Sequence, residues 1–292
     1  MNEWTTTTSR TQWIRRASLA AVLVVVALVI EPRPLNADAI ATEYARRPTV
    51  ILVHGAWADG SSWSRVVKHL QEAGYPVVAP PNPLRGLASD SAYLSTYLET
   101  IHGPIVLVGH SYGGAVISNV ASASANVRAL VYVDAFIPKR GDSILHLAGA
   151  VPGSCLAGDG DPSQVFDFVS YPGAPSGDFD LYVKRAANGP YPGFHACFAN
   201  DLPAWKASVL ASTQRPITLS ALAEPSGVPA WKTLPSWAVV GTIDHVIPEQ
   251  GQLFMAERAG ARITRLKASH LSMISRPGAV ADVIVRADRR TR

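Results

Sequence analysis

From residue 48 onward the chain alternates short apolar runs with segments of helical spacing, and no other feature constrains its fold as tightly. Val50-Ile51-Leu52-Val53 is a β-branched run that ends in His54-Gly55. Tyr75 to Ala79, Ile105 to Val108, Val127 to Val133, Trp237 to Val240 and Arg262 to Leu266 continue the series of strands. A strand apolar at every position is buried on both faces, because successive side chains point to opposite sides of the sheet. Between these runs, residues 59–73, 89–101, 111–123, 248–259 and 277–286 read as helices. The first opens on Asp59, carries Trp63, Val66, Val67 and Leu70, and stops at Gly74. This order predicts an α/β fold, with a mainly parallel sheet of about six strands covered by helices on both faces.

The alternation pauses from Ile137 to about Gln214, where Gly, Pro, aromatics and short helical pieces replace it. That block reads as a lid or cap insertion (about 137–214) and not as a second domain. In an open parallel sheet, ligands bind beyond the carboxyl ends of the strands, so the insertion is expected over those ends. Phe166, Phe168, Tyr171, Phe179, Tyr182, Tyr191, Phe194, Phe198 and Trp205 supply its aromatic content. Most are expected to pack the lid's own core, and a few to face a pocket.

Composition closes off other classes. With 48% hydrophobic and 16% charged residues, the chain is not a disordered polyelectrolyte. Its formal charge of +4 owes much to four arginines among the last seven residues, which read as a solvated, fraying end. No basic stripe interleaved with aromatics suggests nucleic acid as a partner. No cluster has metal-ligand spacing and no G-x-G-x-x-G follows a strand, so the chemistry is expected to need no cofactor.

The N-terminus reads as a targeting segment. Arg10, Arg15 and Arg16 precede an apolar run from Leu19 to Ile30, which as a helix rises only about 18 Å against a hydrocarbon layer of roughly 30 Å. A charged start, a short apolar middle and Ala37-Asp38-Ala39 make a secretory signal over residues 1–39, with the catalytic domain spanning 40–292. Export to the periplasm or beyond is expected, with no stable membrane span after cleavage; an uncleaved anchor is the alternative. The Arg15-Arg16 pair leaves the twin-arginine route open beside the general one. In an oxidising compartment Cys155 and Cys197 are either bridged, closing a loop worth about 4 kcal/mol in the chain-entropy model, or two separate buried thiols.

Chemistry is carried by Gly109-His110-Ser111-Tyr112-Gly113, a G-x-S-x-G that follows an apolar strand and opens a small-residue helix. That setting is the one a nucleophile elbow requires, with Ser111 in a strained turn and flanking positions that must lack Cβ. A serine hydroxyl needs a base, and the base needs an orienting carboxylate. Asp244 follows one later strand and His270 follows the next. Asp134, after the fourth strand, is a rival acid. His54 and His110 are expected to brace backbone near the site, and His195, in the insertion, to touch substrate. The backbone N–H of Tyr112 and that of Ala56 are the expected oxyanion donors, with Trp57 as the alternative to Ala56 and as a substrate contact.

Val53-His54-Gly55-Ala56-Trp57, Gly109-His110-Ser111-Tyr112-Gly113-Gly114, Asp134-Ala135-Phe136-Ile137-Pro138, Gly241-Thr242-Ile243-Asp244 and Ser269-His270-Leu271-Ser272-Met273 together resemble the small α/β-hydrolases grouped with plant methylesterases and hydroxynitrile lyases. The resemblance covers about 49–286. It implies a sheet lacking the usual first two strands, the triad Ser111, His270 and Asp244, and a small-molecule ester as substrate. Hydroxynitrile lyases of this group carry lysine after the catalytic histidine; Leu271 stands there instead, which favours ester hydrolysis. A lyase or a cofactor-free haloperoxidase-like enzyme is the alternative activity, and a ligand-binding sensor on the same fold is the alternative class.

Overall fold

The computed structural model describes residues 47–120, 125–157 and 160–292, so the expected signal segment lies outside the described residues. Six strands form one parallel sheet: β1 (Thr49–Val53), β2 (Val77–Val78), β3 (Ile105–His110), β4 (Val127–Val133), β8 (Ser236–Gly241) and β9 (Arg262–Leu266), in the order β2-β1-β3-β4-β8-β9. All six residues of β3 and of β8 are buried, as expected of strands covered on both faces. Edge strand β9, RITRL, is half exposed, with the Arg262 guanidinium lying over the Trp237 ring.

Register then decides where the loops emerge. Val53 pairs with Gly109, His110 with Val133, Val133 with Val239 and Gly241 with Leu266. The strands therefore finish level with one another, and the loops that leave them share one edge of the sheet. Ser111, Asp134, Asp244 and His270 lie far apart in sequence and close together for this reason.

Ten helices and the cap complete the described chain: α1 (Ser64–Glu72), α2 (Leu87–Glu99), α3 (Tyr112–Val120), α4 (Ile144–Ala150), α5 (Phe194–Phe198), α6 (Ala204–Ser212), α7 (Leu219–Ala223), α8 (Glu249–Arg258), α9 (Ser272–Ser275) and α10 (Pro277–Arg289). α3 and α10 pack on β3, α10 also packs on α1, and α2 on α3. Fully buried Val106, Leu107, Val116, Ile117, Val283 and Ile284 fill these contacts, each worth about 1.5–3 kcal/mol of transfer from water.

The insertion has its own antiparallel sheet, β5 (Phe166–Val169), β6 (Asp180–Val183) and β7 (Ile217–Thr218), in the order β5-β6-β7. Its third strand lies beyond the expected limit at about 214. Thr218 N–H donates to the Leu84 carbonyl and Thr218 Oγ1 to that of Arg85, which fastens the cap to the loop after β2. Cys155 and Cys197 form a disulfide with Cα atoms 5.8 Å apart, which resolves the two readings left open by the sequence.

The arginine-rich end is not a fraying tail. Helix α10 runs to Arg289, and Arg292 Nη2 pairs with the buried Asp288 carboxylate at 2.6 Å. Tyr75 Oη donates to the same oxygen at 2.7 Å, so a buried charge with two partners holds the terminus against the core.

Where helix α3 crosses the end of β1, packing is at its tightest. A Cβ on Gly113 would lie 2.5 Å from the Val53 carbonyl oxygen and 2.8 Å from that of His54, both rigid backbone atoms. Gly113→Ala should therefore destabilise the protein by about 3 kcal/mol or more in urea unfolding, whereas Gly149→Ala, at a helical position with open space around it, should not approach that loss.

Candidate active site

Ser111 joins the end of β3 to the start of α3 with φ at +52°, a left-handed backbone that costs a side-chain-bearing residue about 1–3 kcal/mol. The turn is over-determined. Ser111 N–H donates to the Val133 carbonyl, and the Ser111 carbonyl accepts from Gly114 and Phe136 N–H. A Cβ on Gly109 would meet the Gly113 carbonyl oxygen at 2.5 Å, and one on Gly114 the Phe136 carbonyl at 2.6 Å. The glycines thus allow helix, strand and neighbouring loop to close around the serine.

His270 lies in the loop after β9 and is buried. Its Nδ1 is 2.8 Å from Asp244 Oδ2, in the loop after β8. Asp244 Oδ1 accepts from Val246 and Ile247 N–H at 2.7 and 2.9 Å, and Oδ2 also accepts from Gln252 Nε2 at 2.8 Å. Three of the four partners are fixed N–H donors, and with His270 in its Nδ1–H tautomer the arrangement fits a carboxylate. Asp134, the rival acid, has no such link to His270. Its Oδ2 accepts from Ser272 N–H at 3.0 Å, and burial with the nearby Asp244 charge pushes its carboxyl well above the usual range. It braces the chain just past His270.

The two histidines beside the serine also brace backbone. His110 Nε2 bonds the His270 carbonyl at 2.8 Å, and its ring lies 4.8 Å from the His270 ring. His54 Nε2 accepts from Asn82 N–H while Nδ1 donates to the Gly55 carbonyl, which assigns the neutral tautomer. Among the described residues, no hydrogen bond joins Ser111 Oγ to His270. Such bonds are commonly long in empty sites and tighten once substrate is bound.

Ser111 opens onto a cavity of about 220 Å³ whose lining includes Ala56, Trp57, Tyr112, Phe136, Ile144, Leu156, Phe166 and Leu222 and, among the described residues, no charged side chain. A second cavity of about 30 Å³ is lined by His270, His110, Phe194, Phe198, Leu271 and Asp59, and again by Ala56 and Trp57. The Ala56 and Tyr112 N–H groups have no acceptor among the described residues, and both residues stand in the wall beside Ser111. Tyr112 presents backbone there, because its Oη reaches back to Asp90 at 2.8 Å.

Of the cap aromatics, Phe166 faces the larger cavity and Phe194 and Phe198 the smaller, while Trp205 is exposed. His195 is a correction to the expected substrate contacts: it lines neither cavity, and its Nε2 bonds the Leu202 carbonyl at 2.9 Å. It sits on the exposed side of α5, one position from the buried Phe194 that faces inward. Gln252 was not anticipated. A glutamine eight positions past an acid, inside helix α8, carries no sequence signal of its own.

Burial pushes the His270 imidazole down from its ordinary 6.5 to about 3. It also pushes the Asp244 carboxyl up, against the N–H groups of Ile247, Val246 and Gln252 that favour its charge. With Nδ1–H committed to Asp244, the neutral ring keeps Nε2 as its basic nitrogen. His270 should therefore titrate well below 6.5 when followed by NMR, and remain a neutral base on the acid side of neutrality. A midpoint above 6.5 would mean that attraction to Asp244 outweighs burial.

The model of the alpha/beta hydrolase family matches residues 50–283. A carbendazim hydrolyzing esterase from Nocardioides sp. (strain SG-4G) is 38% identical over 110 residues, 33% of this chain and 46% of that protein. A probable hydrolase from a Phoma strain is 29% identical over 112 residues, again 46% of that protein, so the chain spans about half the length of these two curated relatives. Among solved structures, an extracellular alpha/beta-hydrolase from a Paenibacillus species superposes with a TM-score of 0.63 at 21% identity, covering 83% of this chain and 99% of the other. Polyneuridine aldehyde esterase does so with a TM-score of 0.67 at 17% identity, covering 82% and 98%. With the elbow, the level strand ends and the matched span all in agreement, the chain belongs to the alpha/beta hydrolase family.

Proposed function

We propose that the protein hydrolyses carboxylic esters through an acyl-enzyme formed on Ser111. The observation that carries this reading is the buried His270–Asp244 hydrogen bond on the same sheet edge as a serine held in a left-handed elbow. Names of similar proteins, among them a carbendazim hydrolyzing esterase and polyneuridine aldehyde esterase, support the choice of an ester bond.

In the proposed reaction, His270 Nε2 takes the Ser111 hydroxyl proton as Oγ attacks the ester carbonyl carbon. The resulting oxyanion accepts hydrogen bonds from the Tyr112 and Ala56 N–H groups, the former at the free end of α3. The carbon–alkoxy bond then breaks, and the leaving oxygen receives the proton from His270. Water attacks the acyl-enzyme by the same route reversed, which releases the acid and restores Ser111. Asp244 holds Nδ1–H throughout and stabilises the transient imidazolium. The apolar side chains around Ser111, Phe136, Ile144, Leu156, Phe166 and Leu222, favour an apolar acyl group, each matched methylene changing the rate about 10–200-fold.

We also propose that the protein works outside the cytoplasm. The Cys155–Cys197 disulfide supports this, since such bonds persist in oxidising compartments.

The decisive experiment combines labelling by a small phosphonate with acid release from methyl esters of graded acyl length. Wild type should be labelled at Ser111 and should prefer apolar acids, while Ser111→Ala should lose the label and about 10^4-fold or more in kcat. Asp244→Asn should lower kcat by about 10^3–10^4-fold with the fold intact, and Asp134→Asn by less than about tenfold. If Asp134→Asn proves the crippling change, the assignment of the acid is wrong.

A further inference from the structure

Trp57 and Ala56 are common to the walls of both cavities, and Trp57 is the one with a side chain large enough to separate them. The indole is held from three sides. Its Nε1–H donates to the Leu181 carbonyl of cap strand β6 at 2.8 Å. Phe166 of β5 stacks on it, centroids 5.6 Å apart and planes 21° from parallel. Phe198 of α5 meets it edge-on at 5.7 Å. Its backbone is left-handed, φ +56°, and the side chain is 7% exposed. A ring so placed cannot swing aside without leaving a buried N–H and a buried carbonyl unpaired.

We propose that Trp57 is a specificity-determining partition, which keeps the acyl and alcohol halves of the ester apart and limits the size of the alcohol. The assignment rests on the ester-hydrolase reading above. The acyl carbon is bonded to Ser111, so its chain extends into the 220 Å³ cavity, whose wall includes that serine. The leaving oxygen must receive its proton from His270, which lines the 30 Å³ cavity, so the alcohol's carbon lies on that side. That space is much smaller than the 220 Å³ cavity, so the alcohol side takes the smaller group. Phe194, Phe198 and Leu271 close it from the cap and from the loop after His270.

The two halves of the substrate are therefore sized independently. Ile144, Leu156, Phe166 and Leu222 set the limit on the acid, whereas Trp57 sets the limit on the alcohol. Trp57 also ties the cap to the loop carrying the Ala56 N–H, so the partition and the expected oxyanion donor move as one piece.

The test varies one half of the ester at a time. Wild type, Trp57→Ala and Trp57→Phe are assayed on methyl, ethyl, butyl and benzyl esters of one apolar acid, then on methyl esters of a graded acyl series. Alanine keeps the backbone cost of the left-handed position the same, and phenylalanine keeps the ring while deleting the bond to Leu181. Wild type should prefer methyl over butyl by about 30-fold or more in kcat/KM, and Trp57→Ala should bring the ratio to within about threefold. Trp57→Phe should fall between them; should the alanine variant fail to fold, this intermediate decides the matter. An unchanged alcohol profile in the variants, or a change confined to the acyl series, overturns the partition. Phosphonate labelling of wild-type Ser111 separates the two levels: without it the hydrolase reading falls as well, and with it the partition alone has failed.

Discussion

The close approach of helix α3 to the ends of β1 and β3 is the constraint on which the rest of the structure depends. Backbone atoms of Gly109 and Gly113 face each other, and Gly113 also faces the Val53 carbonyl, at distances where no Cβ could stand. Only with those contacts made can Ser111 occupy its left-handed turn and lift its hydroxyl above the sheet. The strain is local and small, about 1–3 kcal/mol. It is offset by the packing of a strand and a helix buried along nearly their whole length.

A second constraint comes from the cap, which does more than cover the site. Cys155 N–H and Ser154 Oγ donate to the His245 and Val246 carbonyls, and Asn200 Nδ2 donates to that of Ile243, so both cap segments joined by the disulfide grip the loop of Asp244. Asp201 accepts from Ser269 Oγ, next to His270. The loops carrying Asp244 and His270 are thus held from above by the insertion and from below by level strand ends. A loop so fixed pays little ordering entropy when substrate enters, which is what a preorganised site requires.

Much of this was legible along the chain, and for definable reasons. Three strands announced themselves because burial on both faces demands apolar residues at every position, a pattern few other structures need. Tyr75 to Ala79 shrank to the two residues Val77–Val78, which pair with Val50 and Ile51. That Ser111, Asp244 and His270 share one edge of the sheet was readable because each follows a strand, and a residue after a strand end has one place to go in this fold. His195 was misread for the opposite reason: inside an insertion without a repeating pattern, nothing in the sequence tells inward from outward, and a one-residue step around the short helix α5 separates Phe194 from it. The four arginines at the end are exposed as expected, but the end does not fray, because composition does not reveal a buried Asp288 that pairs with Arg292.

By itself the sequence determined the layer architecture, the order of the strands along the chain and the identity of the residues at their ends, because these follow from local periodicity and from the steric need for glycine around Ser111. Only the tertiary structure shows which of Asp244 and Asp134, two acids that each follow a strand, meets His270. The choice turns on which carboxylate lies 2.8 Å from His270 Nδ1, a distance set by the register of β8 against β9 and by the loops beyond them. It likewise decided the pairing of the two cysteines and the division of the cleft at Trp57. Contacts between residues more than a hundred positions apart, such as Trp57 with Leu181, leave no mark on the local pattern of either segment, and a single sequence carries only local patterns.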